Sequence, residues 1–233
     1  MKVVITGASR GFGKAIAEVF GAGGYDLVLS SKDPARLSKT AEALSRQYPR
    51  ISISSQAADV SEKKSVKSFA AWVLQQSGTI DVLVNNAGSF VSGNVSDEAD
   101  GQLEQMLAVN LFSAYHLTRA LLPQFIRQKS GHIFNMCSIA SLQAYREGGS
   151  YSISKFALAG FSKNLREELK QDGIKVTAVY PGAAYTDSWI GSGVDPKRIM
   201  EAADIAQLVF AAAQLSPQAC VEDIVIRPQL GDL

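Results

Sequence analysis

Along this chain, short runs of β-branched and other apolar residues alternate with longer stretches whose apolar positions recur at helical spacing. The first run, Lys2–Thr6 (KVVIT), is apolar along its length, as expected of a strand covered on both faces. Gly11–Phe20 then follows a helical pattern, Asp26–Ser30 reads as a second strand and Ala35–Gln47 as a helix. Ile51–Gln56 is a third predicted strand, Val66–Gln76 a helix and Ile80–Asn85 a fourth strand. A long helical region covers about Leu103–Gln128, where Pro123 is expected to kink it. The remaining predicted strands are His132–Met136, Lys175–Tyr180 and Asp223–Ile226, with helices over Ser152–Lys170 and Ala203–Gln214. Repeated alternation of this kind implies right-handed βαβ units. The predicted fold is therefore α/β: a doubly wound, Rossmann-type parallel sheet of about seven strands with helices on both faces. No linker, repeat or low-complexity tract interrupts it, so residues 1–233 are expected to form a single domain.

Composition narrows the partners. The chain has 233 residues, of which 46% are hydrophobic, enough for a full core. Its formal net charge is +1, so no long-range field favours nucleic acid or an acidic membrane. The two cysteines, Cys137 and Cys220, fit neither a disulfide framework nor metal-ligand spacing, and no metal site is expected. Strand-like sequence from Lys2 leaves no room for a secretion signal, and no apolar run reaches the roughly 20 residues of a membrane span. A cytoplasmic protein is the expectation.

The chemistry begins where the first strand hands over to the first helix. Thr6-Gly7-Ala8-Ser9-Arg10-Gly11-Phe12-Gly13 places glycines where a turn is tight and a backbone must approach a phosphate. The helix that follows offers unpaired N–H groups and a partial positive charge. The spacing is Gly-x-x-x-Gly-x-Gly rather than the common Gly-x-Gly-x-x-Gly, and glycine at a tight turn is also simple punctuation. After the second strand the chain reads Ser30-Ser31-Lys32, with no carboxylate for a ribose 2′-hydroxyl until Asp33. Lys32 and Arg10 would suit a 2′-phosphate instead, so NADP(H) is favoured over NAD(H). The alternative is that Lys32 is a solvated surface lysine.

Tyr151-Ser152-Ile153-Ser154-Lys155 sets a phenol and an ammonium at i and i+4 on one helix face. A cation beside a phenol favours its charged form and makes it a better acid–base at neutral pH. Alone the pair is common, but with Gly7–Gly13 and Asn85-Asn86-Ala87-Gly88 it resembles the short-chain dehydrogenase/reductase family, from Thr6 to at least Thr186.

The resemblance implies roles. Tyr151 would be the general acid–base, Ser138 would hold the substrate oxygen, and Lys155 would lower the tyrosine pKa and bind the nicotinamide ribose. Asn110 would anchor a water linking Lys155 to solvent. Asn86, Ala87 and Gly88 would border the cofactor, as would Ser9 and Ser31. Asp59-Val60 matches the pair that holds the adenine ring, and Pro181-Gly182 with Thr186 matches the segment that fixes the carboxamide. The implied activity is hydride transfer between NADP(H) and a small carbonyl or alcohol. The alternatives are reduction of a 3-oxoacyl thioester and NADP(H) sensing without turnover. The ending Val221–Leu233 lacks the glycine-rich tail of many bacterial relatives, which weakens the thioester reading.

A homo-oligomer is implied, a dimer with a tetramer as the other form. Phe90, Gln143, Ala144, Tyr145, Tyr185 and Trp189 follow motif segments and are candidates for a substrate wall, or cover apolar surface beside it. Thr186–Lys197 has the composition of a lid. His116 and His132 stand apart from any cluster and are read as structural.

Overall fold

A computed structural model describes residues 1–76, 78–186, 189, 191 and 193–232. Its central sheet has seven parallel strands in the order β3-β2-β1-β4-β5-β6-β9. They are β1 (Lys2–Thr6), β2 (Asp26–Ser31), β3 (Ile53–Ala57), β4 (Val82–Asn85), β5 (Gly131–Met136), β6 (Ile174–Pro181) and β9 (Asp223–Ile226). A separate two-stranded pair, β7 (Ala184–Tyr185) with β8 (Met200–Glu201), was not legible in the pattern because each strand is two residues long. The helices are α1 (Gly11–Ala22), α2 (Pro34–Gln47), α3 (Lys63–Gln76), α4 (Gln102–Leu107), α5 (Ser113–Gln128), α6 (Gly149–Leu169) and α7 (Ala202–Ala213).

Alternate residues of the strands feed two cores. Val3, Ile5, Val82 and Val84 face α1, α2 and α7, where Phe20, Leu44 and Val209 are buried. Val4, Leu83 and Ile133 face α3, α5 and α6, where Phe69, Leu121 and Leu165 are buried. Central strands are therefore apolar on both faces, which is why their sequence shows runs rather than alternation.

The long helical region departs from expectation. It is broken by a π-helical turn at Ala108–Phe112, and α5 runs on through Pro123 to Gln128. A π-helical irregularity thus falls around Asn110, ahead of the proline. In this turn Ser113 N–H bonds to the carbonyl of Ala108, and the inserted residue turns Asn110 inward, 1% exposed.

Strand order reverses between β1 and β4, the neighbours on either side of the switch point. Open α/β sheets bind ligands outside the carboxyl ends of strands at that point. The ends of β1, β4 and β5 carry Gly7, Asn86 and Ser138, so the topology gathers the motifs at one edge.

Candidate active site

Gly7 and Gly11 sit at φ 64 and 53, the left-handed region that glycine tolerates. Arg10 is the N-cap of α1 and makes no side-chain capping bond, leaving the first-turn N–H groups turned toward the glycine loop. Gly13 has a different role. A Cβ there would collide with the Gly7 carbonyl and stand 2.5 Å from Asn86 Nδ2, so it permits α1 to pack on β1. Phe12 packs against the core beneath.

Asn86 ties β4 to this turn. Its Nδ2 donates to the carbonyls of Thr6 at 2.8 Å and Gly7 at 3.2 Å. Thr6 Oγ1 in turn accepts from the N–H groups of Asn86 and Ala87, each at 3.0 Å. Thr6 was quoted only as the start of the motif; the bond that makes it matter spans 80 residues and leaves no trace in local pattern. A Cβ on Gly11 would meet Thr186 Cγ2 at 3.5 Å, which brings the Pro181-Gly182 segment beside the glycine turn.

At the far end of the turn, Ser9 Oγ and Ser31 Oγ share a hydrogen bond of 2.8 Å. Lys32 Nζ pairs with Asp59 Oδ2 at 2.8 Å, a contact between two residues read separately in the sequence. The pairing raises the lysine pKa and lowers that of the aspartate. Asp59 also accepts from Ser61, and Val60 packs on the core below.

The second cluster lies around α6. Lys155 is 5% exposed, and its Nζ donates to the Met136 carbonyl at 2.7 Å. Burial pushes its pKa down to about 8. Lys155 Nζ stands 5.8 Å from the centre of the Tyr151 ring. Tyr151 has its pKa raised by burial, opposed by a hydrogen bond with Ser138. Ser138 is buried, caps a short helical turn at Ile139–Ser141 and accepts from Ala140 N–H at 3.1 Å.

Asn110 joins both clusters. Its Oδ1 accepts from Ser89 N–H at 2.8 Å, and its Nδ2 donates to the Ser89 carbonyl at 3.0 Å and to Ser154 Oγ at 2.9 Å. A Cβ on Gly88 would come within 3.1 Å of Asn110 Oδ1 and 3.5 Å of Lys155 Nζ. Neither Ser89 nor Ser154 stood out in the sequence; both are identified by the partner they share.

One of the expected wall residues packs directly on Tyr151. Phe90 lies edge-on to its ring with centroids 4.9 Å apart. Tyr145 stays 44% exposed, and partial desolvation together with Tyr151 raises its pKa. The lid expected over Thr186–Lys197 includes Asp187, Ser188, Ile190 and Ser192, which lie outside the described residues. His132 is buried on β5 and His116 neighbours Phe112 and Tyr115, both away from the cluster. Among the described residues there is no metal-binding cluster and no helix long and apolar enough to cross a membrane.

Residues 1–194 match the family model of the short chain dehydrogenases. An uncharacterized oxidoreductase of Staphylococcus epidermidis is 32% identical, over 97% of this chain and 96% of that protein. A sepiapterin reductase of Chlorobaculum tepidum is 34% identical over 99% of this chain and 97% of that protein. The alcohol dehydrogenase of the archaeon Thermococcus sibiricus, solved with 5-hydroxy-NADP, superposes with a TM-score of 0.90 at 29% identity, covering 98% and 97% of the two chains. The chain belongs to the short-chain dehydrogenase family. It is an oxidoreductase of that family, and solved relatives include complexes with 5-hydroxy-NADP and with NADP.

Proposed function

We propose that this oxidoreductase transfers a hydride between NADP(H) and a carbonyl or alcohol substrate, with Tyr151 as general acid–base. The observation that carries this reading is the convergence of Ser138, Tyr151 and a buried Lys155 next to Gly88 at the switch point.

The residues present fit the cofactor. Glycines at positive φ, where a larger residue would be strained, lead into a helix N-terminus without a side-chain cap, an arrangement suited to a pyrophosphate. Gly7, Ser9, Arg10, Gly11 and Phe12 would hold that part, and Ser31 with Lys32 a 2′-phosphate. Asp59 and Val60 would border the adenine, and Asn86, Ala87, Gly88, Pro181, Gly182 and Thr186 the nicotinamide half. When bound, the nicotinamide supplies or accepts the hydride.

The chain's own groups handle the proton. In reduction, Ser138 Oγ donates to the carbonyl oxygen and holds it, and Tyr151 Oη delivers the proton to it. Lys155, with a pKa of about 8, keeps its proton at neutral pH, and its Nζ stands 5.8 Å from the centre of the Tyr151 ring. Asn110 braces the turn beside Lys155, where protons pass to and from solvent. The names of two relatives, a sepiapterin reductase and an alcohol dehydrogenase, favour this substrate chemistry over a thioester.

Two further assignments accompany it. Phe112, Ile153 and Phe156 on the helical layer around α6 are 43–45% exposed, and we assign this apolar surface to a homodimer. Both cysteines are free, in keeping with a reducing, cytoplasmic setting. The test is titration with NADPH and NADH, followed by nicotinamide fluorescence, for the wild type and Lys32→Ala. Tight NADPH binding that falls to the NADH level in the variant supports the cofactor reading. Equal or better NADH binding overturns it, and absence of both overturns the enzyme reading.

A further inference from the structure

The first turn of α6 has no capping side chain of its own. Its N-cap is Gly148, and its opening residues, Gly149, Ser150, Tyr151 and Ser152, carry no carboxylate. The acceptor comes instead from Glu98, in the loop ahead of α4. Glu98 Oε1 accepts from the Ser150 N–H at 2.7 Å, and Oε2 accepts from the Ser150 hydroxyl. Ser150 is 1% exposed and directly precedes Tyr151. A carboxylate here satisfies an orphan donor and complements the positive end of the helix.

The surrounding backbone is shaped to seat that carboxylate. A Cβ on Gly149 would collide with Glu98 Oε1, and one on Gly93 would lie 3.0 Å from Glu98 Cγ. The two loops are joined again nearby. Gly93 N–H donates to the Glu147 carbonyl at 3.1 Å, and Glu147 N–H donates to Asn94 Oδ1 at 3.1 Å. Glu147 itself lies at φ 62, a conformation that a non-glycine residue rarely adopts, and these bonds hold it there. The same two chain segments carry Phe90, which packs edge-on against the Tyr151 ring, and Tyr145.

We propose that Glu98 is a positioning residue for the reaction: it caps α6 from a separate loop and thereby fixes where Tyr151 presents its hydroxyl. The proposal rests on Tyr151 being the acid–base. It does not place Glu98 in contact with substrate or cofactor.

The experiment compares wild type, Glu98→Ala, Glu98→Gln and Tyr151→Phe, each saturated with NADPH. Hydrogen exchange over residues 148–155 reads the cap, nicotinamide fluorescence reads cofactor affinity, and turnover is followed with 4-nitrobenzaldehyde. In Glu98→Ala, exchange is expected to speed up and kcat to fall about tenfold or more, while NADPH affinity holds. Glu98→Gln, which keeps an acceptor for the Ser150 N–H, is expected to recover most of that kcat. Unchanged exchange in Glu98→Ala overturns the proposal. So does faster exchange with an unchanged kcat, because the cap would then be structural only. If Tyr151→Phe matches wild type in turnover, or wild type shows none, the acid–base reading fails first. The difference absorbance of the Tyr151 phenol, wild type against Tyr151→Phe, then decides on Glu98. A titration unmoved by Glu98→Ala overturns the positioning role, and one shifted toward the ordinary tyrosine range upholds it.

Discussion

His132 makes folding itself sensitive to acid. The residue lies on β5, 4% exposed, with its ring 3.9 Å from that of Phe134 and stacked on it. Its Nε2 is 2.7 Å from Thr177 Oγ1, and the Thr177 hydroxyl is donated onward to the Val221 carbonyl. Nε2 therefore carries the proton, and Nδ1 is buried with no partner among the described residues. Burial, aided by the positive charge of Lys175, pushes the histidine pKa down to about 3 from an ordinary 6.5. The folded state thus keeps this imidazole neutral where the unfolded chain protonates it. Stability is complete above pH about 6.5 and is lost as pH falls toward 3, since the unfolded state gains the proton first. A gap of about 3.5 pH units corresponds to about 5 kcal/mol in full, of which about 2 kcal/mol disappears between pH 6.5 and 4.5.

His132→Phe removes the titrating group and keeps a flat ring against Phe134. It forfeits one hydrogen bond, a fixed cost of about 1 kcal/mol that does not vary with pH. Urea unfolding of both proteins at pH 7.5, 6.5, 5.5 and 4.5 separates the two contributions, because the carboxylates are common to both. The wild type is expected to be the more stable at pH 7.5, and the difference to close or reverse by pH 4.5. Stability curves that stay parallel across that range would refute the argument, since no proton would then be linked to His132.

Tyr151→Phe is expected to lower kcat for carbonyl reduction by roughly 10²–10⁴-fold with NADPH affinity unchanged, read by steady-state kinetics and fluorescence titration. Reduction by the wild type is expected to decline above pH about 8, as Lys155 gives up its proton, and a rate flat to pH 10 would contradict that role. Gly13→Ala forces a methyl group against Gly7 and Asn86 and is expected to cost about 1–3 kcal/mol in thermal or urea unfolding. Phe156→Glu places a charge on the exposed apolar face of α6 and is expected to shift the protein to monomer in light-scattering measurements.

Local pattern determined a good deal of this protein. All seven strands of the main sheet were legible, most clearly β1, β2 and β4, whose burial on both faces makes each a run of Val, Ile and Leu. The glycine turn after β1 and the Tyr151–Lys155 spacing were legible for a similar reason: their geometry depends on residues a few positions apart. Element ends were less well marked. The third strand, expected at Ile51–Gln56, lies at Ile53–Ala57, because its half-exposed residues carry no strong apolar signal.

Tertiary structure decided the rest through contacts between segments far apart in the chain. It set a π-helical turn around Asn110, where the side chain finds Ser89 and Ser154. It paired Lys32 with Asp59 and brought Glu98 to a helix that begins some fifty residues later. Above all it set the surroundings of Tyr151, Lys155 and His132. The sequence names the ionisable groups, but how far water is excluded from each depends on what the whole fold packs around it.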